Sequence, residues 1–322
     1  CSTGPRSLTE RKVLPGGPLP TKVGPVMREI PATELPVFTA PNGGAIDAHM
    51  LAAFDEFGFV VLEDFVSQEA CDGLRARAAE LVDRFDPDAV RSIFSTTEQT
   101  QLADDYFLGS GDKIRFFLEK DALDASGRLA GAKIDCLNKM GHALHDLDPV
   151  FDAFSRTPEL AEVAKRLGIR EPGIIQSMYI FKPPRIGGEV VCHQDSTFIY
   201  TEPESCIGFW FALEDATLEN GCMQFIPGQH KEALKARNVR TPAGGSMIET
   251  LDPTPFPEHL RVAVPARQGS LVIFTGRTPH LSGPNLSPKS RHAYTLHVID
   301  QACHYPAENW LQRPGLELRG FA

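Results

Sequence analysis

Hydrophobic and polar positions divide this chain into three stretches with different periods. Residues 1 to about 45 have neither a helical nor a strand period, because Pro5, Pro15, Gly16, Gly17, Pro18, Pro20, Gly24, Pro25, Pro31, Pro36, Pro41, Gly43 and Gly44 interrupt it. Proline removes donors and fixes φ, so this density predicts an extended arm with no regular helix or strand and no core of its own. From Asp47 the helical period takes over. Asp47 is placed to cap a helix through Phe57 whose stripe is Met50, Leu51, Phe54 and Phe57, with Gly58 as its stop. Phe59 to Leu62 reads as a short strand. Ser67, with Glu69 close behind, opens a second helix that carries Cys71, Leu74, Ala78, Leu81 and Val82 on its apolar face. Between Ser92 and Asp146 the signals are mixed, with one strand predicted over 113–119, and 152–167 reads as a third helix.

After Gly173 the period shortens to two and Gly/Pro punctuation becomes regular. Strands are predicted over 174–181, 189–201 (a pair), 207–213, 222–226, 262–266, 270–274 and 291–299, with a turn at 183–188. Asn220-Gly221 is a two-residue hairpin signal. About eight short strands without intervening helices predict a sandwich or jelly-roll barrel. The fold class expected is therefore mainly β with flanking helices. An arm over 1–45 precedes one domain over 46–322, with the barrel at about 174–300. No internal repeat is present.

Within the β region, His193-Gln194-Asp195 carries candidate chemistry. Residues i and i+2 of a strand share a face, so an imidazole and a carboxylate there can bind one ion. With one further histidine they would make the facial triad of non-haem iron oxygenases, which leaves coordination positions open. H-x-D alone is a weak signal in a chain with 10 histidines. His280, directly after the apolar strand 270–274, is the best placed third ligand; its position also suits an exposed loop histidine. His230 reads as a turn residue. His292 alternates away from Arg291, and His297 lies six residues beyond it, about 20 Å at strand rise. Neither is expected to reach the metal. Arg291 starts the strand that runs inward, where a planar guanidinium can make a bidentate pair with a carboxylate. A surface arginine on a strand end is the plainer reading.

Composition narrows the partners. The formal charge is −10, from 32 basic and 42 acidic residues, which disfavours a phosphate-tracking surface for nucleic acid and favours a small-molecule substrate. Seven cysteines, odd in number and without C-x-x-C pairs, suit a reducing compartment such as the cytoplasm. Cys192, beside His193, is expected to point away from the site and pack. No apolar run approaches the roughly 18 residues of a membrane helix. The chain begins at Cys1 without methionine, which leaves room for a missing or processed start and an organellar address.

Several ordered motifs together carry a resemblance. Gln176-Ser-Met-Tyr-Ile-Phe181, His193-Gln-Asp195, Glu214-Asp-Ala-Thr-Leu-Glu-Asn-Gly221, Phe225-Ile-Pro-Gly-Gln-His230, Pro279-His280 and Ser290-Arg-His-Ala-Tyr-Thr295 resemble the phytanoyl-CoA dioxygenase family. So do Asp105-Tyr-Phe-Leu108, Ser110 to Phe117, Asn138 to His145 and Glu308-Asn-Trp-Leu311, and the likeness covers roughly residues 46 to 312. It implies a double-stranded β-helix (jelly-roll, cupin-like) barrel, Fe(II), and 2-oxoglutarate and O₂ as cosubstrates, with ascorbate as a stimulant. Carried over by motif, His193, Asp195 and His280 would bind iron and Arg291 the distal carboxylate of 2-oxoglutarate. Lys139, Met178 and Trp210 would line the cosubstrate pocket. Read without the family, Met178 and Trp210 are barrel core. Related halogenases lack the carboxylate, so Asp195 points to hydroxylation of a C–H bond coupled to formation of succinate and CO₂. The family name suggests an acyl-CoA substrate, or another lipid-like or metabolite acid, and Lys113, Arg115, Lys182 and Arg185 are the basic residues expected near the mouth. The stretch 105–120 is the expected substrate-facing wall. A non-catalytic cupin-like metal- or ligand-binding protein, or a structural zinc protein, is the alternative.

Overall fold

The computed structural model describes residues 35–41, 44–89, 91–99, 102 and 104–321, so most of the arm expected over 1–45 lies outside the described residues. What is described of it corrects the expectation. β1 (Val37–Thr39) is a strand that pairs in parallel with β2 (Phe59–Glu63). Between Pro36 and Pro41 there is room for a three-residue edge strand, and Pro36 still serves as an acceptor, its carbonyl taking the Val61 N–H at 2.9 Å. α1 (Ala48–Phe57) starts as predicted, with the Asp47 carboxylate accepting from Met50 N, and stops at Gly58, whose φ of 83° closes the helix. α2 (Gln68–Arg84) is capped by Ser67 and buries Cys71, Leu74, Ala78 and Val82.

α3 (Asp105–Leu108), β3 (Ile114–Leu118), β4 (Leu137–His142) and α4 (Leu144–Leu147) follow. The single helix expected over 152–167 is two: α5 (Pro149–Ser155) and α6 (Pro158–Arg166). A residue before proline disfavours helical ψ, and Thr157 sits extended at ψ 153° and caps α6. The remaining strands are β5 (Pro172–Ile180), β6 (Val190–His193), β7 (Ile207–Ala212), β8 (Met223–Phe225), β9 (Ala236–Arg240), β10 (Ser246–Thr250), β11 (Val262–Val264), β12 (Leu271–Thr275), β13 (His280–Ser282) and β14 (Ala293–Asp300).

Among the described residues these make an eight-stranded sheet, β1-β2-β12-β7-β14-β5-β4-β3, a four-stranded sheet, β11-β8-β13-β6, and the β9-β10 hairpin. The two larger sheets pack face to face as a jelly roll. Phe59, Trp210, Val272 and Phe274 from the large sheet meet Met223, Phe225 and Val264 from the small one, and Phe59 stacks on Phe225 with centroids 4.4 Å apart. The other face of the large sheet is covered by helices, with Phe154 edge-on to Phe211 and Phe151 against Tyr294. Alternation along β14 produces this division: Tyr294 and Leu296 belong to the helix-side core, while Ala293, Thr295 and His297 face the barrel interior. No helix among the described residues is long and apolar enough to cross a membrane.

Asn220-Gly221 does not make a hairpin, because β7 and β8 lie in different sheets. The turn instead carries the chain across the barrel edge. Asn220 Oδ1 accepts from Thr217 N at 2.7 Å, its Nδ2 donates to Asp215 O at 2.8 Å, and Gly221 takes φ 82°. A Cβ on Gly221 would lie 2.5 Å from Gly283 O and 2.7 Å from Lys182 Cε. Gly221→Ala is therefore expected to destabilise the fold by about 2–4 kcal/mol, from backbone strain and overpacking together. Gly73→Ala, in the exposed middle of α2 with nothing near its Cβ, is expected to stabilise by about 0.5–1 kcal/mol. Urea unfolding of both variants beside the parent checks the pair.

Candidate active site

His193 ends β6 and His280 begins β13, and the antiparallel register sets them directly opposite each other, with ring centroids 4.3 Å apart. Asp195 reaches them by a route other than the predicted one. β6 stops at His193, and Asp195 opens a single 3₁₀ turn over Asp195–Thr197, so the two side chains do not share a strand face. The turn brings them together instead: Asp195 Oδ1 is 3.4 Å from His193 Nε2 and 3.6 Å from His280 Nε2. Gln194 clamps the turn, donating from Nε2 to Arg277 O and accepting at Oε1 from Lys235 N, both at 2.9 Å.

Backbone carbonyls fix which imidazole nitrogens face the site. His193 Nδ1 donates to Val191 O at 2.8 Å and His280 Nδ1 to Thr278 O at 3.0 Å. A carbonyl can only accept, so each Nδ1 carries the proton and each Nε2 presents a lone pair. Burial, reinforced by His193, holds His280 down at about 4, so it is neutral at pH 7. Burial pushes Asp195 up, but the surrounding imidazoles, His297 ahead of His280, outweigh it and hold the carboxyl well below its ordinary range. Two neutral imidazoles and one carboxylate, all within 4.8 Å of one another, suit a first-row divalent ion with positions left open toward the cavity.

His297 was not expected here, and it is part of the site. Its Nε2 lies 2.9 Å from Asp195 Oδ2 and orients the carboxylate. The six-residue separation from Arg291 is real, but the metal donors sit toward the His297 end of β14. A sheet register, not readable from the sequence, would have been needed to see this. His292, as expected, turns away, its Nδ1 against Tyr179 Oη at 2.8 Å, and His230 packs at a turn beside Asp55 O.

A cavity of about 310 Å³ opens from the three donors into the barrel and is lined by every residue expected to hold the cosubstrate. Met178, Thr295 and Trp210 lie abreast on neighbouring strands, and Lys139 is one register step away, opposite Ile180. Arg291 is 1% exposed, and its Nε and Nη1 have no hydrogen-bond partner. Its guanidinium lies 5.4 Å from the Trp210 ring. Lys139 Nζ sits 3.2 Å above the Phe94 ring, and burial lowers its pKa to about 7 against the opposing pull of Glu119.

Three other expectations change. Lys182 is not at a rim but buried, donating to Gly188 O at 2.7 Å and Ser282 Oγ at 2.9 Å while bordering the cavity. Lys113 is paired with Asp112, Arg115 stacks on Tyr106, and exposed Arg185 does not line the cavity, so the four basic residues form no phosphate patch. Cys192 also borders the cavity, where burial pushes its thiol up to about 12. Of 105–120, Phe107 and Glu119 line the wall, which continues through Phe94, Thr96, Gln99 and Leu102. Because His297 sets the Asp195 carboxylate, His297→Leu is expected to weaken Co(II) or Mn(II) binding by about 10–100-fold, read by metal titration of the apoprotein.

Comparison with known proteins agrees with this geometry. The family model described as phytanoyl-CoA dioxygenase matches residues 54–293. A phytanoyl-CoA dioxygenase of Arabidopsis thaliana is 45% identical over 272 residues, covering 84% of this chain and 95% of that protein. Phytanoyl-CoA dioxygenase domain-containing protein 1 of Bos taurus is 45% identical over 271 residues, covering 81% and 93%. Among solved structures, EctD from S. alaskensis with 2-oxoglutarate and 5-hydroxyectoine superposes with a TM-score of 0.57 at 21% identity, covering 92% of this chain and 90% of that one. The non-haem α-ketoglutarate-dependent carbocyclase SnoK from nogalamycin biosynthesis gives 0.57 at 20% identity, covering 83% and 88%. Both share the fold. The chain belongs to the phytanoyl-CoA dioxygenase family, a family of non-haem iron, 2-oxoglutarate-dependent dioxygenases.

Proposed function

We propose that this protein is an Fe(II)- and 2-oxoglutarate-dependent hydroxylase acting on a C–H bond of a small molecule, with residues 46–322 as its catalytic domain. The observation that carries the reading is Arg291: a fully buried guanidinium whose Nε and Nη1 are free, in the same cavity as the three metal donors. An unpaired buried charge is costly, and its planar fork matches a carboxylate, so the cavity is built for an anion beside a metal. In this reading His193, Asp195 and His280 hold Fe(II), Arg291 holds the distal carboxylate of 2-oxoglutarate, Met178 and Trp210 flank it, and Lys139 adds a second cation.

Fe(II) held by these three residues would supply, with 2-oxoglutarate and O₂, the oxidising power for a hydroxylation coupled to formation of succinate and CO₂. The protein contributes position and dryness: Phe94, Phe107, Phe198 and Ile199 wall the cavity and keep water from the reacting centre. With the metal bound, Asp195 would occupy the position that a halide needs, which favours hydroxylation. A non-catalytic cupin-like protein could also hold an anion on this guanidinium; membership of a dioxygenase family, together with the metal donors in the same cavity, favours the enzyme. A compact metabolite suits the site better than an acyl-CoA, because among the described residues Lys113 is paired and Lys182 is buried and hydrogen-bonded, and neither is left for the phosphates. Succinate release from 2-oxoglutarate, with Fe(II) and ascorbate present, tests the reading. The wild type is expected to release succinate and Asp195→Ala to release none; absence of any Asp195-dependent succinate across a broad substrate screen counts against it.

A further inference from the structure

Beyond Arg291, the cavity holds a second group of polar atoms that nothing in the protein satisfies: His142 Nε2, His297 Nδ1, Trp310 Nε1 and Asn238 Oδ1. Their residues are 0%, 4%, 2% and 2% exposed, and all four line the cavity. His142, Trp310 and Asn238 are also neighbours. The His142 and Trp310 rings are 5.4 Å apart, Trp310 N donates to Asn238 O at 3.3 Å, and Phe107 stacks on Trp310 at 4.5 Å. Buried polar atoms without partners are rare, and a cluster of them beside open metal positions calls for a ligand.

Hydrogen-bond valence assigns which of these atoms accept. Ser110 donates its hydroxyl proton to Phe107 O at 2.5 Å, so toward His142 Nδ1, at 2.7 Å, Ser110 Oγ can only accept. His142 Nδ1 therefore carries the ring proton and Nε2 keeps its lone pair. Asp195 is acceptor-only, so His297 Nε2 donates to it, and His297 Nδ1 is left without a partner in the protein. Trp310 Nε1 is a donor, and the Asn238 amide can serve either role. His142 thus offers a fixed acceptor and Trp310 a fixed donor, on neighbouring rings that line the same cavity.

An alkyl chain there would leave every one of these atoms unmet. A hydroxyl group, both donor and acceptor, satisfies them. We propose that this end of the cavity recognises a hydroxyl-bearing small molecule, with His142 Nε2 accepting from a substrate hydroxyl and Trp310 Nε1 donating to a substrate oxygen. The proposal rests on the hydroxylase reading above and names its substrate class. The size agrees: about 310 Å³ is at the low end of the roughly 300–1,000 Å³ of ligand pockets and must also hold 2-oxoglutarate, so the substrate is compact. His297, which holds Asp195, lines the same cavity, so the recognition end is continuous with the metal donors.

The test uses the full chain loaded with Mn(II) and 2-oxoglutarate. Cosubstrate binding is measured first, by calorimetry; its absence sinks the hydroxylase reading and is distinguishable from failure of the present proposal. The loaded protein is then titrated with a panel of compact polyols and hydroxy acids, each against its O-methyl ether, which keeps the acceptor and loses the donor. At least one hydroxyl compound is expected to bind 10-fold or more tightly than its ether. In His142→Phe this ratio is expected to fall to about 3 or less. Ser110→Ala keeps the ring but frees its proton to move to Nε2, so ether binding is expected to recover, which a merely structural role for Ser110 would not produce. A ratio near 1 for every pair in the wild type, or a ratio untouched by both variants, overturns the proposal.

Discussion

The backbone register that sets His280 opposite His193 is the constraint on which the rest of this site depends. Because side chains alternate along a strand, a slip of one residue would turn one imidazole out of the cavity and leave two ligands where three are needed. β13 is only three residues long, yet it is pinned on both sides, pairing with β6 and with Met223 to Phe225 of β8. Just before it, Thr278 Oγ1 donates to Gly58 O at 2.7 Å, tying the metal histidine to the end of α1. A Cβ on Gly58 would lie 2.6 Å from Thr278 Oγ1 and 2.4 Å from His230 Nδ1, so the glycine that stops the helix also makes room for this tie. Local helix chemistry and the position of a ligand far along the chain are thus one arrangement.

The two faces of the large sheet divide the labour between stability and function. On the helix side, Tyr179, Phe211, Tyr294 and Leu296 pack with α2, α5 and α6 into a continuous core, which supplies most of the favourable burial. On the barrel side the same sheet presents Lys139, Thr295, His297 and the approach to Arg291. Charges and lone pairs without partners in an apolar interior cost stability, and proteins accept that cost where a ligand will satisfy them. The aromatic walls around them deepen the effect, because a desolvated guanidinium or imidazole interacts more strongly with what arrives than a hydrated one.

Much of this was legible in the sequence, though not always for the right reason. Caps at Asp47 and Ser67, the stop at Gly58 and most strands after 174 follow from local chemistry, but β9, β10 and the short β13 carry no such signal, and the strand pair expected over 189–201 is β6 followed by a 3₁₀ turn. His193 and Asp195 were paired on a strand-face argument, and they do meet, but through a 3₁₀ turn whose shape depends on Gln194 reaching Arg277 and Lys235. His280 and Arg291 were readable from their places relative to apolar strands. What stayed hidden was long-range: distance along β14 from Arg291 seemed to exclude His297, whereas the location of the metal donors depends on the facing sheet. Asn220-Gly221 has hairpin chemistry but joins two sheets, and Lys182 looks like a rim lysine until Ser282 and Gly188 are brought round it. Met178 and Trp210 were readable as core or as pocket; they border the cavity, one half-buried and one fully, and interior packing on a barrel's inner face is cavity lining.

The central claim is that the His193–Asp195–His280 cluster and the free Arg291 fork form one site, in which a metal and a 2-oxo dicarboxylate bind together. Equilibrium binding of 2-oxoglutarate under anaerobic conditions, with and without Mn(II) and in wild type against Arg291→Leu, tests it most directly. Omitting the metal and removing the guanidinium are each predicted to weaken 2-oxoglutarate binding by at least about 10-fold, the cost of a lost charge-assisted pair or a lost chelate. Unchanged affinity in the absence of metal, or in Arg291→Leu, would contradict it.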